Sequence, residues 1–410
     1  MAPVGSYESL RAAIQAGAGS VYFGVGDLNM RARSSHNFTV SDLHTITTIA
    51  SENKVKTYLT VNTIVFDNEL SKMEELLNTA KETGVTAIIA SDMAVIQYAR
   101  QIQLEVHIST QLNITNIEAL KFYAQFADVV VLAREMNIGR IWEINRQIRE
   151  QQIKGPGGEL IRTEIFIHGA LCMAVSGKCY LSLHETNLSA NRGTCMQKCR
   201  QGYLVTEKDT GFELEIDNEY IMSPKDLKTI HFLNKILDSG VSVLKIEGRA
   251  RSPEYVKTVV GCYHEAVDAY LNNEFTAEKI SVWDKRLAEV FNRGFWDGYY
   301  LGQRLGEWSH NYGSSATKRK VYLGRNLNYL SNLQVGEFKI ETLELKVGDH
   351  VLIIGPTTGV VETTVEEIRV DLVTVESAPK GARCSFRVPQ KVRKADKLYK
   401  IVDSSEVKRQ

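Results

Sequence analysis

Four of the six cysteines in this 410-residue chain fall within 28 residues, as Cys172-x6-Cys179-x15-Cys195-x3-Cys199. Even scatter would leave about 0.4 of a cysteine in such a window, from 6 × 28/410. Four thiolates bind zinc tetrahedrally or hold an iron–sulfur cluster. Structural zinc sites are built from tight knuckles with two to four intervening residues. Only Cys195-x3-Cys199 is that tight, and Cys172-x6-Cys179 is too wide. The spacing therefore favours an iron–sulfur cluster over zinc, with four unligated thiols as the plainest alternative. Gly169, Gly177 and Gly193 would let backbone amides approach sulfur, and Asn191-Arg192 and Arg200 would favour thiolates by their charge. Cys262 lies beside a helical apolar stripe and Cys384 in a β-rich run, so both read as structural.

Other chemistry-bearing residues follow short apolar runs. They are Arg31 and Arg33, Asn62, Asp92, Gln111 and Asn113, then Arg134-Glu135, His168 and Glu247-Gly248-Arg249. The candidate catalytic set is His168, Arg134, Glu135, Glu247 and Arg249. The candidate substrate contacts are Arg31, Arg33, Asn62, Asp92, Gln111 and Asn113. Arginines, amides, carboxylates and a histidine together suit a polar or anionic substrate. Solvation of exposed ends, or local ion pairing, accounts equally well for any one of them.

These positions need elements to hold them. Continuous apolar runs at 1–4, 20–23, 56–61, 87–90, 105–108, 128–132, 164–167 and 242–246 predict eight strands buried on both faces of a parallel sheet. Helical patterns alternate with them: Ser6 caps one that Gly17 stops, and Thr39-Val40-Ser41-Asp42 reads as a capping box. Eight βα units predict an α/β fold, a (β/α)8 TIM-like barrel over 1–310, with a doubly wound sheet as the other solution. In such a barrel the working residues stand past the carboxyl ends of the strands. The gap after the seventh strand is too long for one unit. It predicts an insertion over about 169–241 that carries the cysteines. A hairpin (203–207 and 212–216) and a helix begun by Ser223-Pro224-Lys225-Asp226 are expected inside it. A linker at 311–320 precedes a β-rich domain over 321–410, read as a small β-barrel.

Lys and Arg balance Asp and Glu at 49 each, but the last 100 residues carry 17 basic against 12 acidic ones. That tail is the half more suited to a polyanion. No signal peptide and no membrane-length apolar run is read, so a cytoplasmic protein with reduced thiols and no membrane partner is expected.

The run Glu164-Ile165-Phe166-Ile167-His168-Gly169-Ala170-Leu171-Cys172-Met173-Ala174-Val175-Ser176-Gly177-Lys178-Cys179 closely resembles the signature of the collagenase-like peptidase family, peptidase family U-32. Asn191-Arg192-Gly193-Thr194-Cys195-Met196-Gln197-Lys198-Cys199-Arg200 resembles its continuation, and Leu132-Ala133-Arg134-Glu135 and Lys245-Ile246-Glu247-Gly248-Arg249 resemble other family blocks. The resemblance covers about 1–310. It implies a TIM-like barrel, with Cys172, Cys179, Cys195 and Cys199 as ligands of a 4Fe-4S cluster. It also implies an RNA-modifying enzyme most similar to the branch that forms 5-hydroxyuridine at the wobble position of tRNA, using a small-molecule hydroxyl donor from a prephenate-linked pathway. Other branches hydroxylate ubiquinone precursors or ribosomal RNA. Val175 and Lys198 depart from common family residues. Lys228 stands where part of the family has a ligating cysteine, which fits the tRNA branch better than the quinone branch.

Two other functions compete. The family's name implies a peptidase, a hydrolase. However, the chain has neither His-Glu-x-x-His nor Gly-x-Ser-x-Gly, which leaves a Cys172 nucleophile with His168 as base. A zinc-stapled RNA-binding scaffold is the third.

Overall fold

A computed structural model describes residues 1–33, 37–204, 206, 208–211, 222–303, 306–309 and 313–406 of the chain. Its first part is a ten-stranded sheet. The strands are β1 (Ala2–Pro3), β2 (Ser20–Gly24), β3 (Lys56–Val61), β4 (Ala87–Ala90), β5 (Glu105–Ile108), β6 (Val129–Val131), β7 (Arg162–Gly169), β8 (Asp226–Lys228), β9 (Val243–Ile246) and β10 (Phe295–Trp296). From β1 to β7 each strand pairs with the next in parallel, and β9 pairs in parallel with β7. Two hydrogen bonds then join β9 to residue 1. The Met1 amino group donates to the Leu244 carbonyl at 2.7 Å, and the Ile246 N–H donates to the Met1 carbonyl at 3.1 Å.

The eight apolar runs are the eight strands β1 to β7 and β9. Every residue of β2, β4 and β6 is buried. Burial on both faces is why these strands read as unbroken apolar runs. Helices α1 (Tyr7–Gln15), α2 (Asp42–Glu52), α3 (Leu70–Glu82), α4 (Met93–Gln101), α5 (Ile117–Ala124) and α6 (Ile138–Glu150) alternate with the strands. Ser6 caps α1 by accepting from the Ser9 N–H at 3.2 Å, and Gly17 follows it at φ +82°. One helical face after another packs on the sheet, so a single core runs from Val4 through Leu59, Ile88 and Ile165 to Val259.

The insertion departs from expectation. Ser223-Pro224-Lys225-Asp226 does not begin a helix. It leads into β8, which runs antiparallel to the end of β7 and carries β10 on its other side. The 226–228 backbone satisfies its polar groups on the sheet, which outweighs the local Ser-Pro helix-start signal. The short helices α7 (Leu181–Thr186) and α8 (Leu233–Asp238) flank this stretch, and α9 (Pro253–Leu271) and α10 (Ala277–Glu289) complete the first part. The expected hairpin falls largely on residues outside those described, as do 311 and 312 of the expected linker.

The last part is antiparallel: an eight-stranded sheet spanning 318–403 and a separate two-stranded one. Its own core centres on Leu323, Phe338, Ile353 and Leu398, with Phe338 stacked on Phe386 at 4.5 Å. It docks on α1 and α9. The Gln15 amide donates to the Thr358 carbonyl at 2.8 Å and accepts from the Val360 N–H at 3.1 Å. The Lys257 ammonium donates to the Val360 carbonyl at 2.9 Å. Leu352, Ile354 and Val360 are buried in the core of the first part.

Candidate active site

The carboxyl ends of the parallel strands open into one cavity of about 230 Å³. Strand β9 and the residues after it supply its charged floor. Successive side chains alternate across a strand, and Lys245, Glu247 and Arg249 all line the cavity. The Lys245 ammonium donates to Glu164 Oε1 at 2.7 Å and lies 4.7 Å from the Tyr22 ring centre. Burial opposes ionisation of Glu164, but Lys245 and His107 outweigh it and hold the carboxyl down to about 2.

Among the described residues, Glu247 is the single carboxylate on the wall. Arg31 Nη2 donates to its Oε1 at 2.8 Å, and the Tyr22 hydroxyl donates to its Oε2 at 3.1 Å. Burial works against the charge here too, yet Arg31, Arg134 and Arg249 together hold the carboxyl at about 2. Arg249 is buried and donates to Asn29 Oδ1 at 3.0 Å and to Thr60 Oγ1 at 2.8 Å. Burial lowers its pKa to about 10, so it stays a cation at neutral pH. The Arg134 guanidinium lies 3.8 Å over the Phe166 ring and donates to the Ala170 carbonyl at 3.2 Å. Asn62 donates to Gln111 Oε1 at 3.0 Å, so two amides share the opposite wall. Among the described residues, six arginines and two lysines face the cavity against Glu247.

The cysteine segment forms the roof, and the loops beneath pin it. The Ile64 N–H donates to the Asn191 carbonyl at 3.2 Å, and Arg192 Nη1 donates to Glu69 Oε2 at 2.7 Å. Gly193 sits at φ +77°, and a Cβ there would collide with the Asn29 carbonyl. Gly169, at φ +103°, is likewise pressed against the Glu247 carbonyl. These glycines serve close backbone packing. Arg192 is spent on Glu69 rather than on a thiol, whereas Arg200 is electrostatically coupled to Cys199 and Cys172.

Cys172, Cys179, Cys195 and Cys199 all line the cavity. Burial pushes the Cys179 and Cys199 thiols up, and the other cysteines push the same way, with Arg200 opposing at Cys199. Cys179 and Cys199 each lie within electrostatic reach of Cys172 and Cys195. Among the described residues, no three His, Cys, Asp or Glu side chains gather closely enough to ring a single metal ion. Four thiols are a donor set that either an iron–sulfur cluster or a zinc ion takes.

Peptidase family U32 matches residues 5–310. The chain belongs to this family. It is 61% identical over 401 residues to a Porphyromonas gingivalis protein named Collagenase, covering 98% of this chain and 97% of that one. It is 32% identical over 378 residues to the Bacillus subtilis tRNA hydroxylation protein P1, covering 90% of this chain and 86% of that one. It is 33% identical over 304 residues to an Escherichia coli 23S rRNA 5-hydroxycytidine synthase, covering 72% of this chain and 44% of that one. The U32 members it resembles thus include both named collagenases and RNA hydroxylation proteins. No helix among the described residues is long and apolar enough to cross a membrane.

Within this U32 site, Arg31, Asn62, Gln111, Arg134, Glu247 and Arg249 come together with the four cysteines around one cavity. Five other residues read from the sequence do not join them. His168 is 1% exposed, behind the wall. Its ring packs among Tyr263, Phe295 and Tyr255, with Nδ1 3.3 Å from the Tyr263 hydroxyl. Burial above all, with Lys228 and Arg251, drives its pKa down to about 3. A bulge in β7 beside His168 accompanies this inward placement. Asp92 caps α4, accepting from the Ala94 N–H at 2.9 Å and the Val65 N–H at 3.1 Å. Asn113 ends a turn in the left-handed conformation. Glu135 and Arg33 are exposed and lie off the cavity. Lys245, Arg251 and Arg293 line the cavity and were missed. Lys245 shares the period-two phase of Glu247 and Arg249, which is a legible signal. Arg293 stands just before β10, an element too short to read.

Proposed function

We propose that this protein is an iron–sulfur-dependent RNA-modifying enzyme that hydroxylates a uridine of tRNA at carbon 5. The observation that carries the reading is a single cavity walled by four thiols and six arginines. The names of two relatives, a tRNA hydroxylation protein and an rRNA 5-hydroxycytidine synthase, support it. Both names concern RNA hydroxylation.

In this reading β1 to β7 and β9 act as the eight strands of a (β/α)8 ring. Cys172, Cys179, Cys195 and Cys199 hold the cluster. A lone zinc ion needs sulfurs about 2.3 Å from one centre. A cluster has its own sulfide core and takes thiolates that stand further apart. Bound there, it supplies one-electron redox chemistry beside the substrate. The chain's own groups bind and orient. The uridine is flipped out of its stack into the cavity. Asn62 and Gln111 offer donor and acceptor atoms to the base edge, and Arg134 with Phe166 provides a flat cationic face. Exchange of C5–H for C5–OH is a two-electron oxidation, so a small-molecule hydroxyl donor must share the site. An anionic donor matches the excess of guanidinium groups.

The test is genetic and chemical together. A deletion strain should lose 5-hydroxyuridine from its tRNA nucleosides by mass spectrometry. The wild-type gene should restore it, and Cys179→Ala should not. Protein purified without oxygen should carry iron and acid-labile sulfide, which Cys179→Ala loses. An unchanged nucleoside profile would overturn the reading.

A second reading, peptidase, has one observation in its favour: the 61% identical relative named Collagenase. Against it, the Cys172–His168 pair is not assembled, because His168 is sealed among aromatic rings. Gelatin cleavage that survives chelation and oxygen-free handling would favour it.

A further inference from the structure

The cavity's six arginines fall into two groups around two carboxylates. Arg31, Arg134 and Arg249 surround Glu247, which faces the cavity itself. Arg200, Arg251 and Arg293 form the second group, around Asp226. Asp226 is 1% exposed and stands behind the wall, so no carboxylate of this group faces the cavity. Arg251 Nη2 and Arg293 Nη1 each lie 3.6 Å from an Asp226 oxygen, longer than an ordinary N–H···O bond.

Each guanidinium in this group is held from behind. Arg200 donates to the Leu171 and Pro224 carbonyls, both at 2.6 Å, and to Ser223 Oγ at 2.9 Å. The Arg251 guanidinium lies 3.7 Å over the Phe291 ring, and that of Arg293 lies 5.2 Å from the same ring centre. One carboxylate cannot saturate three groups with five N–H donors each. Burial weighs most against the Arg251 and Arg293 charges, and Arg293 further opposes that of Arg251. Arg251 and Arg293 share one hidden carboxylate at more than hydrogen-bond length, which leaves guanidinium donors for an anion that joins them.

We propose that Arg200, Arg251 and Arg293 form a second binding site of the cavity, for an oxyanion: a phosphodiester of the RNA or a carboxylate of the small hydroxyl donor. Both sources rest on the hydroxylation reading, and the first rests on an RNA substrate as well. The Glu247 side is less suited to the same role, since its own carboxylate already faces the ligand.

Two arms distinguish the sources, both with full-length protein purified without oxygen. In the first, binding of an anticodon stem-loop RNA is followed against salt. Arg293→Gln should weaken it and reduce the slope of log K against log salt by about 0.7, the value of one lost single-strand phosphate contact. In the second, binding of a small dicarboxylate is followed by calorimetry. Asp226→Asn should tighten the binding of whichever anion belongs there, an effect that loss of packing would not produce. Arg251→Gln repeats the test should Arg293→Gln fail to fold. A changed salt slope assigns the subsite to RNA, and weakened dicarboxylate binding alone assigns it to the donor. Unchanged binding in both arms, with a wild type that binds both probes, overturns the subsite. A wild type that binds no RNA overturns the RNA reading instead, and the dicarboxylate arm still decides the subsite.

Discussion

His168 shows how far a residue's chemistry depends on its surroundings. Its ring would suit a general base near pH 7, yet burial leaves it neutral, with a pKa of about 3 against 6.5 in free solution. The folded state thus resists a proton that the unfolded chain accepts. Stability from this group is intact above pH 6.5. It falls by up to about 1.4 kcal/mol per pH unit between 6.5 and about 3. In His168→Leu that acid-side loss should shrink, seen as a flatter urea midpoint across this range. Hydroxylated nucleoside should still form, because the Tyr263 hydroxyl keeps the Ile167 carbonyl and the Thr229 N–H as partners. Abolished product in a stably folded His168→Leu would return the histidine to the catalytic set. Residue type and position after a strand were legible for Glu247 and Arg249 because they continue β9 in phase. For His168 the same rule failed, since the bulge in β7 is a register event with no signature in one sequence. Asp92 failed for another reason: a carboxylate one residue before a helix serves the cap first.

At the scale of elements, the eight parallel strands were readable because burial on both faces leaves no polar position to confuse the pattern. Strands β8 and β10 were not, being three and two residues long and defined by their partners. The cysteine segment has neither period. Its shape depends on contacts to the loops after β2 and β3, and Gly193 packs against the first of these loops. Gly193→Ala must place a Cβ against the Asn29 carbonyl at a backbone angle that L side chains disfavour. The core of the parallel-sheet part lies elsewhere, so its melting should change little. The roof should loosen: iron content falls, and trypsin cuts faster at Lys178 and Lys198, read by gel and by metal analysis. Wild-type iron in Gly193→Ala would mean that the thiols are positioned without that docking.

For the molecule as a whole, the question is what the β-rich part contributes to a site it does not line. Docking buries Leu352, Ile354 and Val360 on the first part, worth about 1.5–3 kcal/mol each by area removed from water. The two parts are thereby held as neighbours, with Lys320 paired to Glu254 at 2.8 Å across the join. The surplus positive charge of the last 100 residues is legible in composition, but its availability is not. Lys318 and Lys320 are both taken up in ion pairs, the former with Asp403 at 2.7 Å. Lys391, Arg393, Lys394 and Lys397 are exposed along one loop and the start of the last strand. If they grip RNA outside the cavity, neutralising all four to Gln should lower the salt slope of RNA binding by about 3, at 0.7–0.9 per contact. Product formation at saturating RNA should be kept, because a remote phosphate grip binds the ground and transition states alike and so raises KM without lowering kcat. An unchanged slope would confine recognition to the cavity wall. A lost kcat with unchanged KM would mean that this loop acts on the site through the docked interface instead.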